Sequence, residues 1–277
     1  MMMKKMCIHL IICACMVISA SIQAQVVTIA ANDSVRYSEL YRMDLCNCEK
    51  VEVICERGFN GTNAVRVVKG ISYGELPIRN TQVLYTFVST DKGTAIMFIQ
   101  KSTCRRIGLF GGYSRFALTT MDTDPRTKQI WIAGDSLYRY DPFTQLFVKN
   151  YGPFAPKQAE SITWHDGKLY AVWKNEILEV DTLNPAASTV QFILPFSKAD
   201  VPDQWPLPSR VHLVSYPTLC GDWITYLFNT APVALGTFKR GVYRLDMNTG
   251  KLIFTCTTDD PFFNNFHGQA MLPDTLE

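Results

Sequence analysis

Five side chains in this sequence of 277 residues stand at or near strands where they could meet a ligand. Glu160 precedes the apolar strand SITW, and its carboxylate could bind a cation or a sugar hydroxyl. His212 alternates with valines in RVHLV, and His267 stands at the start of another strand. Arg115 and Gln158 are further candidates, because the alignment of the repeats places them in loops that enter the innermost strands. The alternatives are that Glu160 is a solvated loop carboxylate and that His212 is an interior histidine with its hydrogen bonds satisfied.

Sequence motifs for catalysis are absent. No Gly-x-Ser-x-Gly nucleophile elbow, His-Glu-x-x-His pair or phosphate-cradling glycine loop occurs in the chain. The cysteines form no Cys-x-x-Cys pair and the histidines are not grouped with them, which argues against zinc. We therefore assign no catalytic residue, metal ligand or cofactor, and we expect a binding protein rather than an enzyme. Asn63 and Arg210 are weaker candidates for binding a ligand.

The charge of the chain argues against a nucleic-acid partner. The formal net charge is +2, and two of the positive charges, Lys4 and Lys5, lie in a segment that we expect to be removed. The remaining chain is near neutral, and no block of basic residues is interleaved with aromatic residues. A protein or a glycan is the kind of partner that these features allow.

The first 24 residues have the three parts of a secretory signal. Two lysines give a positive start, an apolar run follows from Cys7 to Ala20, and small residues come next. The run is shorter than the roughly 20 apolar residues of a membrane-spanning helix. We therefore expect cleavage after Ala24 and a secreted or periplasmic protein without a membrane span. A lipoprotein anchored through Cys15 is the alternative, although the apolar run continues beyond that cysteine.

Residues 25–277 are enough for one domain with a full core. We expect a monomer, and the alternative that the chain is a piece of a longer protein stays open. An even number of cysteines remains after the signal, so disulfides are expected in an oxidising compartment, but the sequence cannot choose among their connectivities. These cysteines are Cys46, Cys48, Cys55, Cys104, Cys220 and Cys256.

One strand-like phrase recurs along the chain, among runs of β-branched and aromatic residues separated by Gly, Pro, Asn and Asp. In YRYD the two tyrosines point to one face of the strand and the arginine to the other. The Asp ends the strand, because its carboxylate can bond the backbone two residues on and start a turn. The copies are YRMD at Tyr41–Asp44, YRYD at Tyr138–Asp141, LEVD at Leu178–Asp181 and YRLD at Tyr243–Asp246, with a weaker copy at Met97–Gln100.

The spacing of these copies predicts the fold. Their last residues are 56, 41, 40 and 65 residues apart, and a repeat of roughly 40–50 residues with several strands is typical of a β-propeller. We therefore predict an all-β protein, a single β-propeller of four-stranded blades. One blade per copy gives five blades, with six if the interval from Asp181 to Asp246 hides another. The Pro-rich stretch Ser197–Ser209 is expected to be a surface insertion.

Two turns complete this interpretation. Asp246-Met-Asn-Thr-Gly250 has glycine where a tight hairpin needs a positive φ. Cys48 and Cys104 occupy the same position in the other copies. His165 begins His-Asp-Gly-Lys and is interpreted as a turn residue.

Both chain ends contribute to one blade in this alignment. The C-terminal HGQAMLPDTLE (His267–Glu277) aligns with AESITWHDGKLY (Ala159–Tyr170), which places Gly268 opposite Glu160. The C-terminal segment is thereby predicted to supply the inner strands of a blade that residues Val35–Glu56 complete. A ring closed by both chain ends leaves no exposed strand edge at the closure.

Two stretches resemble known propeller families. QIWIAGDSLYRYDPFTQLFVKNY (Gln129–Tyr151) resembles the repeats of bacterial periplasmic sensor propellers of the two-component-regulator type. DGKLYAVWKNEILEVDTLN (Asp166–Asn184) is similar to secreted NHL-like and gluconolactonase-like propellers. The first resemblance implies a module that binds a ligand or a protein through one face of the ring. The second implies a metal-dependent hydrolase or lactonase, which is the alternative function.

Hydrolytic propellers of the gluconolactonase type bind a divalent metal through Glu, Asn and Asp side chains from several blades. In the alignment, the repeat equivalents of Glu160 are Ala117 and Gly268, whose side chains cannot ligate a metal. This departure favours the binding module over the hydrolase.

Aromatic residues in two loops give a further candidate surface. Trp205 lies in the Pro-rich stretch, and Phe262, Phe263 and Phe266 lie in PFFNNFHG. They could bind a glycan or a peptide, or they could cover one end of the central channel. The sequence does not choose between these roles.

Overall fold

The computed structural model describes residues 26–34, 37–45, 48–55, 68–76, 81–90, 93–100, 103, 106–114, 118–144, 146–154, 158–196, 211–217, 222–229, 238–257 and 266–270. Short strands dominate these ranges, together with a 3₁₀ turn at Pro185–Ala187. Within them no helix has the length and apolar character needed to cross a bilayer. The expected signal segment and the stretch Ser197–Ser209 lie outside these ranges.

The strands of the described ranges form five antiparallel four-stranded sheets, numbered I to V here. Sheet I contains β1 (Val26–Ser34), β2 (Tyr37–Asp44), β3 (Glu49–Cys55) and β20 (Phe266–Ala270). Sheet II contains β4 (Val68–Leu76), β5 (Thr81–Thr90), β6 (Gly93–Gln100) and β7 (Arg106–Ser114). Sheet III contains β8 (Leu118–Thr123), β9 (Ile130–Gly134), β10 (Ser136–Asp141) and β11 (Leu146–Pro153). Sheet IV contains β12 (Ser161–His165), β13 (Lys168–Trp173), β14 (Glu176–Glu179) and β15 (Thr189–Ile193). Sheet V contains β16 (Val211–Pro217), β17 (Trp223–Asn229), β18 (Gly241–Leu245) and β19 (Leu252–Cys256).

The innermost strands of the sheets surround a common axis. β4 lies beside β8, β8 beside β12, and β12 beside β16, while β20 lies beside both β16 and β4. This ring of antiparallel four-stranded sheets confirms the all-β propeller. Each copy of the recurring phrase belongs to a different sheet, and the strands described between Asp181 and Asp246 all belong to sheets IV and V. β8, β12 and β16 all finish at the same side of the ring, and we call this side the strand-end face.

Hydrophobic layers between facing sheets form the core. Tyr140 is fully buried between sheets III and II, with its ring 6.5 Å from Phe98 and 5.5 Å from Phe147. Tyr138 lies in the same layer. The tyrosines of the phrase therefore hold two sheets together, and burying one large apolar side chain stabilises a fold by roughly 1.5–3 kcal/mol.

An Asp-initiated turn follows the phrase at three described copies. In each, the backbone N–H two residues after the Asp donates to the carboxylate, which confirms the turn predicted from the sequence. The bonds join Phe143 to Asp141 at 2.8 Å, Leu183 to Asp181 at 2.8 Å, and Asn248 to Asp246 at 2.9 Å.

Cys48 takes the glycine position of this turn. Gly250 has φ 71° and donates its N–H to Asp246 O at 2.8 Å. Cys48 has φ 61° and donates its N–H to Asp44 O at 2.9 Å. The prediction that Cys48 stands where Gly250 stands is therefore confirmed, and Cys104 lies outside the described residues.

The two ends of the described chain meet in sheet I, as predicted, but the division of strands differs. β1 pairs with β20 through Thr28 and Ala270 and through Ala30 and Gly268, and it pairs with β2 on its other edge. A second C-terminal strand therefore cannot lie between β20 and β2. We predicted that the C-terminal segment supplies more than one inner strand of this sheet and that residues from Val35 onward complete it. This prediction was wrong, because the second strand is β1, which precedes Val35.

One disulfide joins sheet I to sheet V. Cys48, in the turn between β2 and β3, is bonded to Cys256, the last residue of β19, with their Cα atoms 5.7 Å apart. Their neighbours Met43 and Val242 share one hydrophobic layer with Cys256. The expectation of disulfides is thus confirmed for this pair. Of the other cysteines, Cys46, Cys104 and Cys220 lie outside the described residues, and Cys55 ends β3.

Candidate functional site

Glu160 lies directly before the innermost strand β12 and is bonded to the neighbouring hairpin. Its backbone N–H donates to Val172 O at 2.8 Å, and Lys174 N–H donates to its Oε1 at 2.9 Å. Lys174 has φ 53° in the turn between β13 and β14, so the carboxylate satisfies the backbone of a strained turn. Burial raises the pKa of Glu160 to about 7, against the smaller opposing effect of the Lys174 N–H.

The other predicted ligand-binding residues are spread over the ring. His212 is buried in β16, on the same face as Val214 of the layer between sheets V and I. Gln158 is partly exposed, two residues before Glu160, in the connection from β11 to β12. His267 lies in β20, at the register shift between the paired residues Phe266 and Gly268. Arg115, Asn63 and Arg210 lie outside the described residues, as do Trp205, Phe262 and Phe263.

Strand pairing corrects one repeat equivalence used above. Two residues before the turn Asp, Arg42 pairs with Thr28, which pairs with Ala270. The corresponding path in sheet IV runs from Glu179 through Tyr170 to Thr163. Ala270 is therefore the equivalent of Thr163, and Gly268 is the equivalent of Ser161 rather than of Glu160.

His267 thus precedes Gly268 as Glu160 precedes Ser161. The alignment was off by one residue because it assumed a gap in a turn, whereas the hydrogen bonds of β1 fix the register. Gly268 therefore says nothing about a metal ligand at the place of Glu160, which His267 occupies in this register. No group of three or more His, Cys, Asp or Glu side chains that could hold a metal occurs in the described part of the chain.

A ladder of polar side chains along the innermost strands was not predicted. Thr120 Oγ1 and Asp122 Oδ2, both on β8, accept hydrogen bonds from the next innermost strand, β12, at Ile162 N–H (3.1 Å) and Trp164 N–H (2.7 Å). The same pattern repeats one sheet further, where two β12 side chains accept from β16. These bonds join Leu213 N–H to Ser161 Oγ at 3.0 Å and Ser215 N–H to Thr163 Oγ1 at 2.9 Å.

These side chains fasten sheets III, IV and V together around the axis through the backbone groups of the innermost strands. Asp122 is the charged member of the ladder, and burial raises its pKa to about 6. Sequence alone offered one weak signal, a carboxylate inside the apolar strand LTTMDT. The ladder therefore links neighbouring sheets through hydrogen bonds, and its hydroxyl and carboxylate oxygens are used in these bonds.

Two aromatic side chains meet where β12 and β17 reach the strand-end face. The rings of His165 and Trp223 lie 5.4 Å apart at 57°, and both side chains are partly buried. His165 Nδ1 lies 2.8 Å from Ser215 Oγ and 2.9 Å from Thr225 Oγ1. The turn interpretation of His165 holds for the backbone, since Asp166 and Gly167 have φ of 44° and 80°, but its side chain reaches the next sheet.

Apolar side chains stand at the turns of the strand-end face. Phe143 and Leu183 occupy the same position of the Asp-initiated turn in sheets III and IV, and they are 61 % and 76 % exposed. Leu146 and Val148, on the adjoining strand β11, are also exposed. β11 lies against the 3₁₀ turn that follows Leu183, so these residues form one region, which we call the turn-tip surface.

Comparison with known proteins supports the fold. No known protein family matches the chain, and no curated protein matches it. A chain of the nidogen/laminin complex is similar in structure, with a TM-score of 0.50 and 12 % identity, covering 90 % of this chain and 86 % of that chain. PorZ, a surface component of the type-IX secretion system of Porphyromonas gingivalis, matches with a TM-score of 0.43 and 12 % identity over 85 % of this chain. This chain spans 29 % of the PorZ chain. The first likeness agrees with the propeller architecture, whereas membership of the sensor or gluconolactonase-like families stays a prediction.

Proposed function

We propose that the protein is a non-enzymatic binding propeller that recognises a macromolecular partner through its strand-end face. The observation that carries the proposal is the pair Phe143 and Leu183, two large apolar side chains at equivalent turns of neighbouring sheets, 61 % and 76 % exposed. A turn needs no apolar tip for its own stability, because Asp141 and Asp181 already bond its backbone. Clustered exposed apolar residues are typical of an interaction site.

The polar groups near the axis support binding rather than catalysis. Asp122 accepts hydrogen bonds from two backbone N–H groups, and Glu160 accepts one from Lys174. Carboxylates used in this way are poorly placed to exchange protons with a substrate. The similar chain of the nidogen/laminin complex belongs to a protein–protein complex, which fits an interaction role for the fold. We further propose that residues 25–277 act as one secreted or periplasmic domain and as a monomer.

Affinity capture with matched variants tests the proposal. The wild-type chain, Phe143→Ser/Leu183→Ser and Val190→Ser/Ile193→Ser are immobilised and exposed to an extract of the producing cells and their medium. Val190 and Ile193 are also exposed, 42 % and 71 %, but lie on the outer strand β15. We expect a partner that wild type and the β15 variant retain and that the turn-tip variant loses. Equal capture by all three chains, or no specific capture, contradicts the proposal.

Metal analysis tests the hydrolase alternative. A divalent metal bound stoichiometrically to the purified protein and lost in Glu160→Gln would favour a metal-dependent hydrolase and overturn the non-enzymatic proposal. We expect no stoichiometric metal in either protein and no lactone hydrolysis above the buffer rate.

A further inference from the structure

The His165–Trp223 pair lies on the strand-end face, at the boundary between sheets IV and V. His165 is the last residue of β12, and Trp223 is the first residue of β17. The centroids of the two rings lie 5.4 Å apart, and the ring centroid of Tyr170 lies 6.2 Å from that of His165. The pair is thus a partly exposed aromatic surface held by three different strands.

The hydrogen bonds beneath His165 are consistent with a proton on Nδ1 of its ring. The Ser215 hydroxyl donates to Ile224 O at 3.2 Å, so its oxygen accepts from its other neighbours. Thr225 Oγ1 lies 2.8 Å from Ser215 Oγ and can donate to it. Nδ1–H of His165 then donates into the same two hydroxyls at 2.8 and 2.9 Å. In the neutral ring this assignment leaves Nε2 with a free lone pair, and burial lowers the pKa of His165, which favours that neutral form.

Two polar atoms of the pair have no hydrogen-bond partner in the part of the chain that the structure describes. Within the described ranges, neither His165 Nε2 nor Trp223 Nε1 has a hydrogen-bond partner, and neither belongs to the enclosed polar atoms. By contrast, Trp131 Nε1 and Trp164 Nε1 are enclosed in the layer between sheets III and IV. The pair therefore presents one acceptor and one donor on adjacent rings at the surface.

Charged side chains flank the pair. Asp166, next to His165, is 4.0 Å from Arg126, and the guanidinium of Arg126 covers Gly167. Lys168 is 2.9 Å from Glu179. These two ion pairs carry no net charge, and the exposed carboxylate of Asp222, next to Trp223, can accept hydrogen bonds from the hydroxyls of a neutral ligand.

We propose that the His165–Trp223 pair binds a neutral sugar residue of a glycan. A sugar carries neighbouring hydroxyls, of which one can donate to His165 Nε2 while another accepts from Trp223 Nε1–H. Its apolar C–H face can pack on an aromatic ring, and the Asp222 carboxylate disfavours an acidic peptide at this point. This inference names the partner class of the strand-end face and therefore rests on the proposed function.

Nuclear magnetic resonance of the indole N–H groups tests the proposal on the full chain. The Trp223 signal is assigned by its loss in Trp223→Phe. The probes are the methyl glycosides of glucose, mannose, galactose and N-acetylglucosamine, together with methyl tetra-O-methylglucoside, which lacks hydroxyl donors. We expect at least one glycoside to shift the Trp223 signal in a saturable way, and the methylated probe to leave it unchanged.

Variants of His165 show whether the imidazole contributes. His165→Phe keeps a ring without an acceptor, and we expect at least a tenfold weaker response to the glycoside. His165→Gln keeps an acceptor and should respond better than His165→Phe, while Trp173→Phe, in sheet IV, should respond as wild type does. Thermal unfolding of each variant establishes that it is folded before the titration is compared.

Three outcomes overturn the proposal. They are no shift with any glycoside, an equal shift with the methylated probe, and an unchanged response in His165→Phe. A further contrary outcome is a protein partner that is lost in Trp223→Phe while no glycoside binds, since a peptide would then occupy the pair. If capture through Phe143 and Leu183 succeeds while the glycosides fail, the sugar site is wrong and the proposed function stands.

Discussion

The carboxylate of Asp122 joins the innermost strands of neighbouring sheets: its Oδ2 accepts the backbone N–H of Trp164 at 2.7 Å. Thr163 Oγ1 donates to the same oxygen at 3.2 Å, and Oδ1 accepts Thr123 N–H at 2.8 Å. Ser72 Oγ, on β4, donates to Oδ1 at 3.4 Å. One side chain therefore connects sheets II, III and IV, and its ionisation should affect the stability of the ring.

We predict that Asp122 makes the protein less stable at pH 7 than at pH 5. Burial raises its pKa from 3.8 to about 6, so its stabilising contribution is complete below pH 3.8 and is lost as the pH rises through 6. From pH 5 to pH 7 the free energy of unfolding should fall by roughly 1 kcal/mol through this group. Glu160, with a pKa raised to about 7, acts in the same direction. Urea denaturation at both pH values measures the difference.

The variant Asp122→Asn isolates this contribution. Between pH 5 and pH 7 its free energy of unfolding should change by roughly 1 kcal/mol less than that of wild type. Asp135→Asn, at an exposed position, is the matched control and should keep the wild-type dependence. An Asp122→Asn protein with the full wild-type pH dependence would show that the buried carboxyl does not titrate in this range.

The disulfide should contribute strongly to stability. Cys48 and Cys256 are separated by 208 residues, and closing a loop of that length restricts the unfolded chain by about 5 kcal/mol in the chain-entropy description. We expect Cys48→Ser/Cys256→Ser to lose a large part of that free energy of unfolding in urea. Reductant should lower the urea midpoint of wild type more than that of the double variant. Equal stability of the two proteins without reductant would contradict the expectation.

A glycine should recover part of this loss. Cys48 has φ 61°, in the left-handed region that glycine adopts without strain. Once the disulfide is gone, a non-glycine residue at this position costs roughly 1 kcal/mol. Cys48→Gly/Cys256→Ser should therefore be more stable than Cys48→Ser/Cys256→Ser by about that amount. If the serine variant is the more stable of the two in urea, the turn relaxes to another conformation when the disulfide is absent.

The hydroxyl of Tyr140 should not stabilise the fold. It is enclosed and has no hydrogen-bond partner among the residues described, whereas the Tyr243 hydroxyl donates to Lys239 O at 2.8 Å. Tyr140→Phe should raise the free energy of unfolding by about 1 kcal/mol, and Tyr243→Phe should lower it by about the same amount. Urea midpoints measure both variants. A loss in Tyr140→Phe as large as that in Tyr243→Phe would reveal a partner for Tyr140, such as bound water.

The fold was predictable because its repeated signals are local. An Asp that ends a strand bonds the backbone two residues on, as Asp141 does with Phe143, and this needs no information from other sheets. The alternation of Tyr138 and Tyr140 likewise follows from the pleat of one strand. The class of fold could therefore be read from the spacing of such phrases.

The candidate site was less predictable because it depends on contacts between sheets. His165 was interpreted from its turn alone, yet its ring is fixed by Ser215 and Thr225 of the next sheet. The role of Asp122 depends on Trp164, which follows it by 42 residues. The register of β20 was misplaced for the same reason, since the partner that sets it, β1, comes from the other end of the described chain.

The pairing of β1 with β20 also determines when the molecule can become complete. The strands of every other described sheet are synthesised after Thr28 and before its partner Ala270. Until then β1 has an open edge, the feature that lets strands from different chains pair with one another. A long-range pairing of this kind also slows folding. The ring therefore stays open to aggregation until β20 has been synthesised, and a chaperone that shields β1 would act during that interval.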